Sequence, residues 1–239
     1  MAHENEYPEY YVDMLELIWG DGYMAPGGAG NVARLLEGIE TQGTKILDIG
    51  CGIGGPAFEM ANTHGASVVG IDLELPLIQR AQADAERHGL ADRCSFVHVE
   101  LGPLQFDDET FDIVISSGAL TQTEDKTGIL ADVKRILRPG GFFSCYDWLR
   151  SGEPGSPYSD DMQEWFRLEG LTYALETLDS YQRIIETAGF ENVVAIDATD
   201  WYRAESRREY ELMAGPLNRK MVEILGQEHA DHFVENWRV

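Results

Sequence analysis

Lys45-Ile-Leu-Asp-Ile-Gly-Cys-Gly-Ile-Gly-Gly55 is the stretch on which the fold turns. Ile46, Leu47 and Ile49 form a short apolar run, as expected of a strand covered on both faces. The glycines that follow break it and let the backbone pass close against a ligand. Pro56 then suits the first turn of a helix, where its missing N–H costs little. Strand, tight turn and helix thus follow within a dozen residues. Downstream the alternation repeats. Ser67–Ile71 reads as a second strand ending at Asp72, and Leu75–His88 as a helix stopped by Gly89. Ser95–Val99 and Phe111–Ser116 read as the third and fourth strands. Lys126–Leu137 is helical and stopped by Pro139-Gly140-Gly141, before a fifth strand over Phe142–Tyr146. Strands and helices alternating at this spacing give right-handed βαβ units. The expected fold class is α/β, a doubly wound, mostly parallel sheet with helices on both faces.

The flanks read differently. Pro8–Trp19 places Tyr11, Leu15, Ile18 and Trp19 at helical spacing. Asp21–Gly30 is broken into a loop by glycines around Pro26, and Asn31 is an N-cap for a helix through Ile39. Beyond Asp147, Ser151–Pro157 is a loop, Ser159–Ala174 and Leu178–Ala188 are helical, and Asn192–Ile196 reads as a strand. Trp201–Trp237 is helical and charged, broken at Gly215-Pro216 and Gly226. The 239 residues suit a single domain. Residues 1–44 form a helical cap in this reading, 45–150 the core, and 151–239 a substrate lid with the C-terminal helices.

Composition narrows the function. Lys and Arg total 18 against 42 Asp and Glu, a formal net charge of −24, and the pI is near 4.4. Nucleic acid and anionic membranes need cationic surfaces, so neither is an expected partner. No apolar run approaches the roughly 20 residues of a membrane span. Met1–Tyr11 is acidic and aromatic, unlike a targeting peptide. Cys51, Cys94 and Cys145 are far apart and form no metal or disulfide pattern, which fits a reduced, cytoplasmic setting. His229 and His232 stand three apart on a helix amid acids, which reads as a solvated face, so no metal is expected. A small-molecule substrate and a monomer or homodimer remain.

In an open α/β sheet, ligands bind beyond the carboxyl ends of the strands near the switch point. Asp48, Gly50–Gly55, Asp72, Glu100, Ser116–Gly118 and Asp147 fall there. Asp72 can accept from both hydroxyls of a ribose, and Glu100 from an adenine amino group. The set describes a pocket for an adenosine-containing ligand.

Asp48-Ile-Gly-Cys-Gly-Ile-Gly54 resembles the first motif of the class I S-adenosylmethionine-dependent methyltransferases. Four later marks agree in order: Asp72; Glu100 with the stretch Leu104-Gln-Phe106; Thr110-Phe-Asp112; and Leu137-Arg-Pro-Gly-Gly141. The resemblance implies a Rossmann-like fold with N-terminal helices and a helical lid. It also implies S-adenosylmethionine as cofactor and S-adenosylhomocysteine as product. The residues that would bind the cofactor are Asp48, Gly50, Gly52, Gly54, Asp72, Leu73, Glu100, Leu101, Ser117 and Met24. Ile18-Trp-Gly-Asp-Gly-Tyr-Met-Ala-Pro-Gly-Gly28 is similar to the loop of phosphoethanolamine and of glycine, sarcosine and dimethylglycine N-methyltransferases. A small polar amine is therefore the implied acceptor. O-, S- or C-methylation of a hydrophobic metabolite, or a non-catalytic cofactor-binding module, are the alternatives. In the phosphoethanolamine family a tyrosine before the first helix pairs with a histidine after the fourth strand. Tyr7 falls on the tyrosine, but Gln122 falls near the histidine. The arginine that helps hold the phosphate in that family is absent, with Leu171 near its place, while a neighbouring tyrosine is kept as Tyr173. The chain also stops at Val239, before the last strands those families carry. These departures count against a phosphorylated acceptor. The implied catalytic set is Tyr7, Gln122 and Asp147. Tyr11, Tyr23, Trp148 and Tyr173 offer aromatic faces to a methylated cation, and Arg150, Arg167 and Arg203 are candidates to hold an acid group.

Overall fold

A computed structural model describes residues 7–153 and 155–238. Met1–Glu6 of the N-terminal stretch, residue 154 of the Ser151–Pro157 loop, and Val239 lie outside the described residues. Five strands form one all-parallel sheet in the order β3-β2-β1-β4-β5. They are β1 Lys45–Ile49, β2 Ser67–Asp72, β3 Cys94–His98, β4 Phe111–Ser117 and β5 Leu137–Tyr146. The order reverses between β1 and β4, and the crevice opens there.

Helices cover both faces. α2 Gly28–Leu35, α3 Gly55–Thr63 and α4 Leu75–Arg87 bury Val32, Met60, Ala61 and Ile78 against Ile46, Val68 and Ile113. On the opposite face α5 Lys126–Ile136 packs Val133 and Ile136 on Leu47, Ile71 and Val114. Neighbouring residues of β1 thus feed different cores, which is why its apolar run is continuous. The exception is Asp48, buried to 1% exposure.

Five of the remaining helices build a cap over the strand ends, α1 Glu9–Trp19, α6 Asp160–Glu169, α8 Thr199–Ala214, α9 Asn218–Leu225 and α10 Gln227–Arg238, while α7 Leu178–Thr187 packs beside α5. Met14, Leu15 and Ile18 of α1 share one apolar cluster with Met213, Met221, Leu225 and Phe233 of α8–α10. Glu209 is fully buried at its centre. It accepts from the indole Nε1 of Trp19 at 2.6 Å and of Trp237 at 2.9 Å. That carboxylate fastens α1 to α10 through α8.

The structure corrects several boundaries. Asn31 caps nothing: α2 begins at Gly28, and the buried Asn31 side chain donates to Ser117 Oγ at 3.1 Å. β5 begins at Leu137, not Phe142. The register shifts between the Phe111↔Leu137 and Ile113↔Phe142 pairs, so the Pro139-Gly140-Gly141 stretch is an irregularity inside the strand. α6 stops at Gly170, whose left-handed backbone ends the helix, and 171–177 runs on without helix. Asn192–Ile196 is not a strand. β5 is the sheet edge, no ladder reaches this segment, and Val194 and Ile196 are 79% and 73% exposed.

Candidate functional site

A cleft of about 2210 Å³ opens over the carboxyl ends of β1, β2 and β4 and runs out beneath the cap. Its floor is the glycine turn after β1. The N–H groups of Gly50 and Cys51 both donate to Ile71 O, at 2.9 and 3.0 Å, which folds the turn back across β2. Gly50 has φ +74°, and a Cβ there would lie 2.1 Å from the Ala119 Cβ. Only glycine lets the turn close against the loop after β4.

Two carboxylates flank this cradle. Asp72 Oδ2 accepts from Gly52 N–H and Oδ1 from Glu74 N–H, both at 2.9 Å. The strand-two acid is therefore fixed by backbone on both oxygens, and each oxygen keeps a further lone pair. Burial raises its pKa despite those bonds. Asp48 lies deeper. Burial, and then the charge of Asp72, push its pKa up to about 7. Its Oδ2 is buried without a hydrogen-bond partner among the described residues. An unpartnered buried acceptor beside a glycine cradle fits a ligand that brings a cationic amine.

Leu73 and Leu101, 38% and 76% exposed, border the same cleft beside Glu100. They offer apolar faces for a flat ring. The cradle is roofed by the loop before α2. Gly22 N–H donates to Glu16 Oε1 at 2.7 Å, Arg80 binds the other Glu16 oxygen, and Gly55 N–H donates to Gly22 O at 2.9 Å. A Cβ on Gly55 would meet Gly22 O at 2.2 Å, so the two backbones touch. This contact sets Met24 over Gly52, where a Cβ would lie 2.9 Å from Met24 Sδ. Tyr23 stands beside it, its pKa raised to about 12 by burial and by Glu59, so its hydroxyl keeps its proton at neutral pH.

The outer half of the cleft carries the other expected residues. Tyr7, Tyr11, Gln122, Asp147, Trp148 and Tyr173 all line it. Tyr7 and Tyr11 rings lie 5.9 Å apart, and Tyr173 stacks on Trp165 at 4.8 Å. Gln122 sits in a short turn, Leu120–Gln122. Asp147 is held on both oxygens: Tyr181 O–H donates to Oδ2 at 2.6 Å and Thr121 N–H to Oδ1 at 3.1 Å. Burial raises its pKa to about 7, against the lowering pull of Tyr181 and Lys126. Lys126 is itself buried and donates to Thr123 O at 2.8 Å and Ala174 O at 2.5 Å. It ties the 171–177 strap to the loop after β4.

Sequence reading missed Asn31 and Thr121 as parts of this wall, and Lys126 as the tie behind it. Their partners lie far along the chain, and no local motif marks them. Among the described residues, no group of three or more His, Cys, Asp or Glu is placed to hold a metal ion, and no helix is long and apolar enough to cross a membrane.

Comparison with known proteins agrees with this geometry. Residues 46–141 match the methyltransferase domain family. Phosphoethanolamine N-methyltransferase 1 of Zea mays is 31% identical over 226 residues, covering 93% of this chain and 43% of that protein. A sterol 24-C-methyltransferase of Aspergillus fumigatus is 33% identical over 174 residues, covering 67% of this chain and 45% of that protein. The chain thus spans less than half the length of these curated relatives. Phosphoethanolamine N-methyltransferase 2 of Haemonchus contortus superposes with a TM-score of 0.89 at 23% identity, over 98% of this chain and 53% of that one. That structure was solved with phosphomonomethylethanolamine and S-adenosylhomocysteine. Strand order, glycine cradle and matched segment agree that residues 46–141 of this chain carry a methyltransferase domain.

Proposed function

We propose that the protein transfers a methyl group from S-adenosylmethionine to the nitrogen of a small polar amine. The cradle carries this reading: a glycine turn closed on Ala119, an Asp72 fixed on both oxygens, and a buried Asp48 with one oxygen unmatched. Gly50, Gly52, Gly54 and Met24 would hold the methionine part, with Asp48 near its amine and Ser117 close by. Asp72 would take the ribose, and Leu73, Glu100 and Leu101 the adenine. The nitrogen acceptor is supported by the phosphoethanolamine N-methyltransferases among the relatives.

The bound cofactor supplies an electrophilic methyl on a sulfonium. The chain's part is to hold a neutral amine in line with it and to exclude water. The C–N bond forms as the C–S bond breaks, and sulfur keeps the electron pair. The ammonium product then loses its proton to solvent or to a nearby group. Tyr7, Gln122 and Asp147 are the proposed polar groups around the nitrogen, with Asp147 orienting the wall through Tyr181 and Thr121. Tyr11, Tyr23, Trp148 and Tyr173 would face the growing cation. The proposal also takes the chain as one domain with cap 1–44, core 45–150 and lid 151–239. It places the protein in the cytoplasm as a monomer or homodimer with no nucleic-acid partner, in keeping with the free cysteines and the charge of −24.

Calorimetric titration with S-adenosylmethionine, S-adenosylhomocysteine and NAD, followed by a product-release screen over small amines, tests the reading. Binding of both sulfur compounds but not NAD, with release on adding one amine, is the expected result. Failure of either sulfur compound to bind would overturn it. Tyr7→Phe should slow turnover at saturating amine; an unchanged rate would remove Tyr7 from the chemistry.

A further inference from the structure

The roof over the cradle is held from outside by charge. α1 leads straight into it: the helix ends at Trp19 and the roof loop starts at Gly20. Val12, Asp13 and Glu16 share one side of α1 by their spacing. Val12 packs with Leu77 of α4 and Ile53 of the glycine turn, and Met24 lies against the same cluster. Three residues on from Leu77, Arg80 reaches up from α4. Its Nη1 donates to Asp13 Oδ1 at 3.3 Å and its Nη2 to Glu16 Oε2. The other Glu16 oxygen takes Gly22 N–H, and Gly22 O takes Gly55 N–H. Guanidinium, carboxylate and peptide thus make one chain of contacts from α4 to the cradle.

This clasp differs from the other ion pairs. Arg167 and Arg203 pair within α6 and α8. Every other pair between described residues likewise stays within the core or within a single helix. Arg80 joins core to cap. Its side chain is 32% exposed and that of Glu16 only 13%, so water and salt screen the pair less than a surface one. Removing one partner of such a pair leaves the other charge uncompensated. The surroundings add to that cost. Asp13 and Asp21 act on Glu16, and Asp13 and Asp84 act on Arg80. Arg87 answers only Asp84, at 2.8 Å. Without Arg80, α1 and α4 would face each other with carboxylates.

We propose that Arg80 and Glu16 are positioning residues that hold the roof down on the bound cofactor and so set how fast S-adenosylhomocysteine leaves. The proposal rests on the methyltransferase reading. Neither side chain lines the cleft, so both act through Gly22 and through Met24, which lies over Gly52. Release of the spent cofactor then requires the roof to lift, and the clasp must loosen for it to do so. Steps of this kind govern exchange in many enzymes, and weaker holding shows mainly in the rate of leaving.

Release of radiolabelled S-adenosylhomocysteine, chased with excess unlabelled compound, tests this directly. Arg80→Gln should release it about tenfold faster, with association changed less. Arg80→Lys should restore part of the slow release. Raising salt from about 0.1 M to about 1 M should narrow the gap between Arg80→Gln and the unaltered protein, because it screens the facing carboxylates. Glu16→Gln keeps an acceptor for Gly22 N–H but loses the charge, and should speed release in the same sense. In the double variant the two effects should not add, as expected of partners in one contact. Arg87→Gln removes the same charge from the same helix and should leave the rate unchanged. Urea melts on the same samples report stability separately. The proposal is overturned if Arg80→Gln lowers stability but releases the compound at the unaltered rate, if Arg87→Gln speeds release as much, or if the double variant is additive. Failure of the unaltered protein to bind S-adenosylhomocysteine would instead overturn the methyltransferase reading.

Discussion

Asp48 is a carboxyl poised to change charge near neutral pH. Burial holds its pKa at about 7, and an ammonium brought beside it favours the ionised form. Binding of S-adenosylmethionine should therefore release a proton, and affinity should rise between about pH 6 and about pH 8. Calorimetry in buffers of different protonation enthalpy reads that proton, and Asp48→Asn should abolish it. For folding, the sign runs the other way. A carboxyl raised in the native state contributes stability that is present below its unfolded pKa and is lost as pH rises through about 7. Relative to the unaltered protein, Asp48→Asn should gain stability across that interval in urea melts. Asp72→Ala should weaken cofactor binding about tenfold or more and slow saturated turnover less. Equal affinity would break the ribose assignment. Asp48, Gly50 and Asp72 were legible in the sequence because each sits at a strand end where few residue types serve. The bond from Asn31 to Ser117 was not, since it joins residues 86 apart. Nor was the clasp of Arg80 on Glu16, whose partners stand 64 residues apart.

At the scale of elements, the roof over the cradle depends on a backbone contact. Gly55 opens α3 with Gly22 O against it, so Gly55→Ala puts a methyl 2.2 Å from that oxygen. The expected cost is about 1–3 kcal/mol of stability, together with weaker cofactor binding as Met24 and Tyr23 lift away. Thermal melts with and without S-adenosylhomocysteine separate the two effects. The core elements were readable because their apolar runs are periodic and their stops are glycines or prolines. The misreadings share one cause. Asn31 looked like a cap and Asn192–Ile196 like a strand on local grounds, yet a cap needs a free helix start and a strand needs a neighbour. Both are conditions on distant parts of the chain. The irregular start of β5 escaped for the same reason, since Pro139-Gly140-Gly141 reads as a turn until β4 lies beside it.

The molecule as a whole carries its charge of −24 on a compact body, and mutual repulsion of that size opposes compactness. Raising ionic strength from about 0.1 M to about 1 M shortens the screening length from about 10 Å to about 3 Å, and Tm should rise accordingly. A flat or falling Tm would mean that the surface ion pairs outweigh the repulsion. The charge was plain from composition, whereas the meeting of the two chain ends around Glu209 was not, because helical periodicity does not say which helix a buried face will meet. That meeting has an optical consequence. The chain has five tryptophans. Trp19, Trp148, Trp165 and Trp237 line the cleft, and Trp201 packs on Tyr146, which lines it too. Two of the five share one carboxylate. Intrinsic fluorescence of this protein is therefore a signal from its cleft: shifts in emission will follow a ligand entering or the cap loosening, with no label attached.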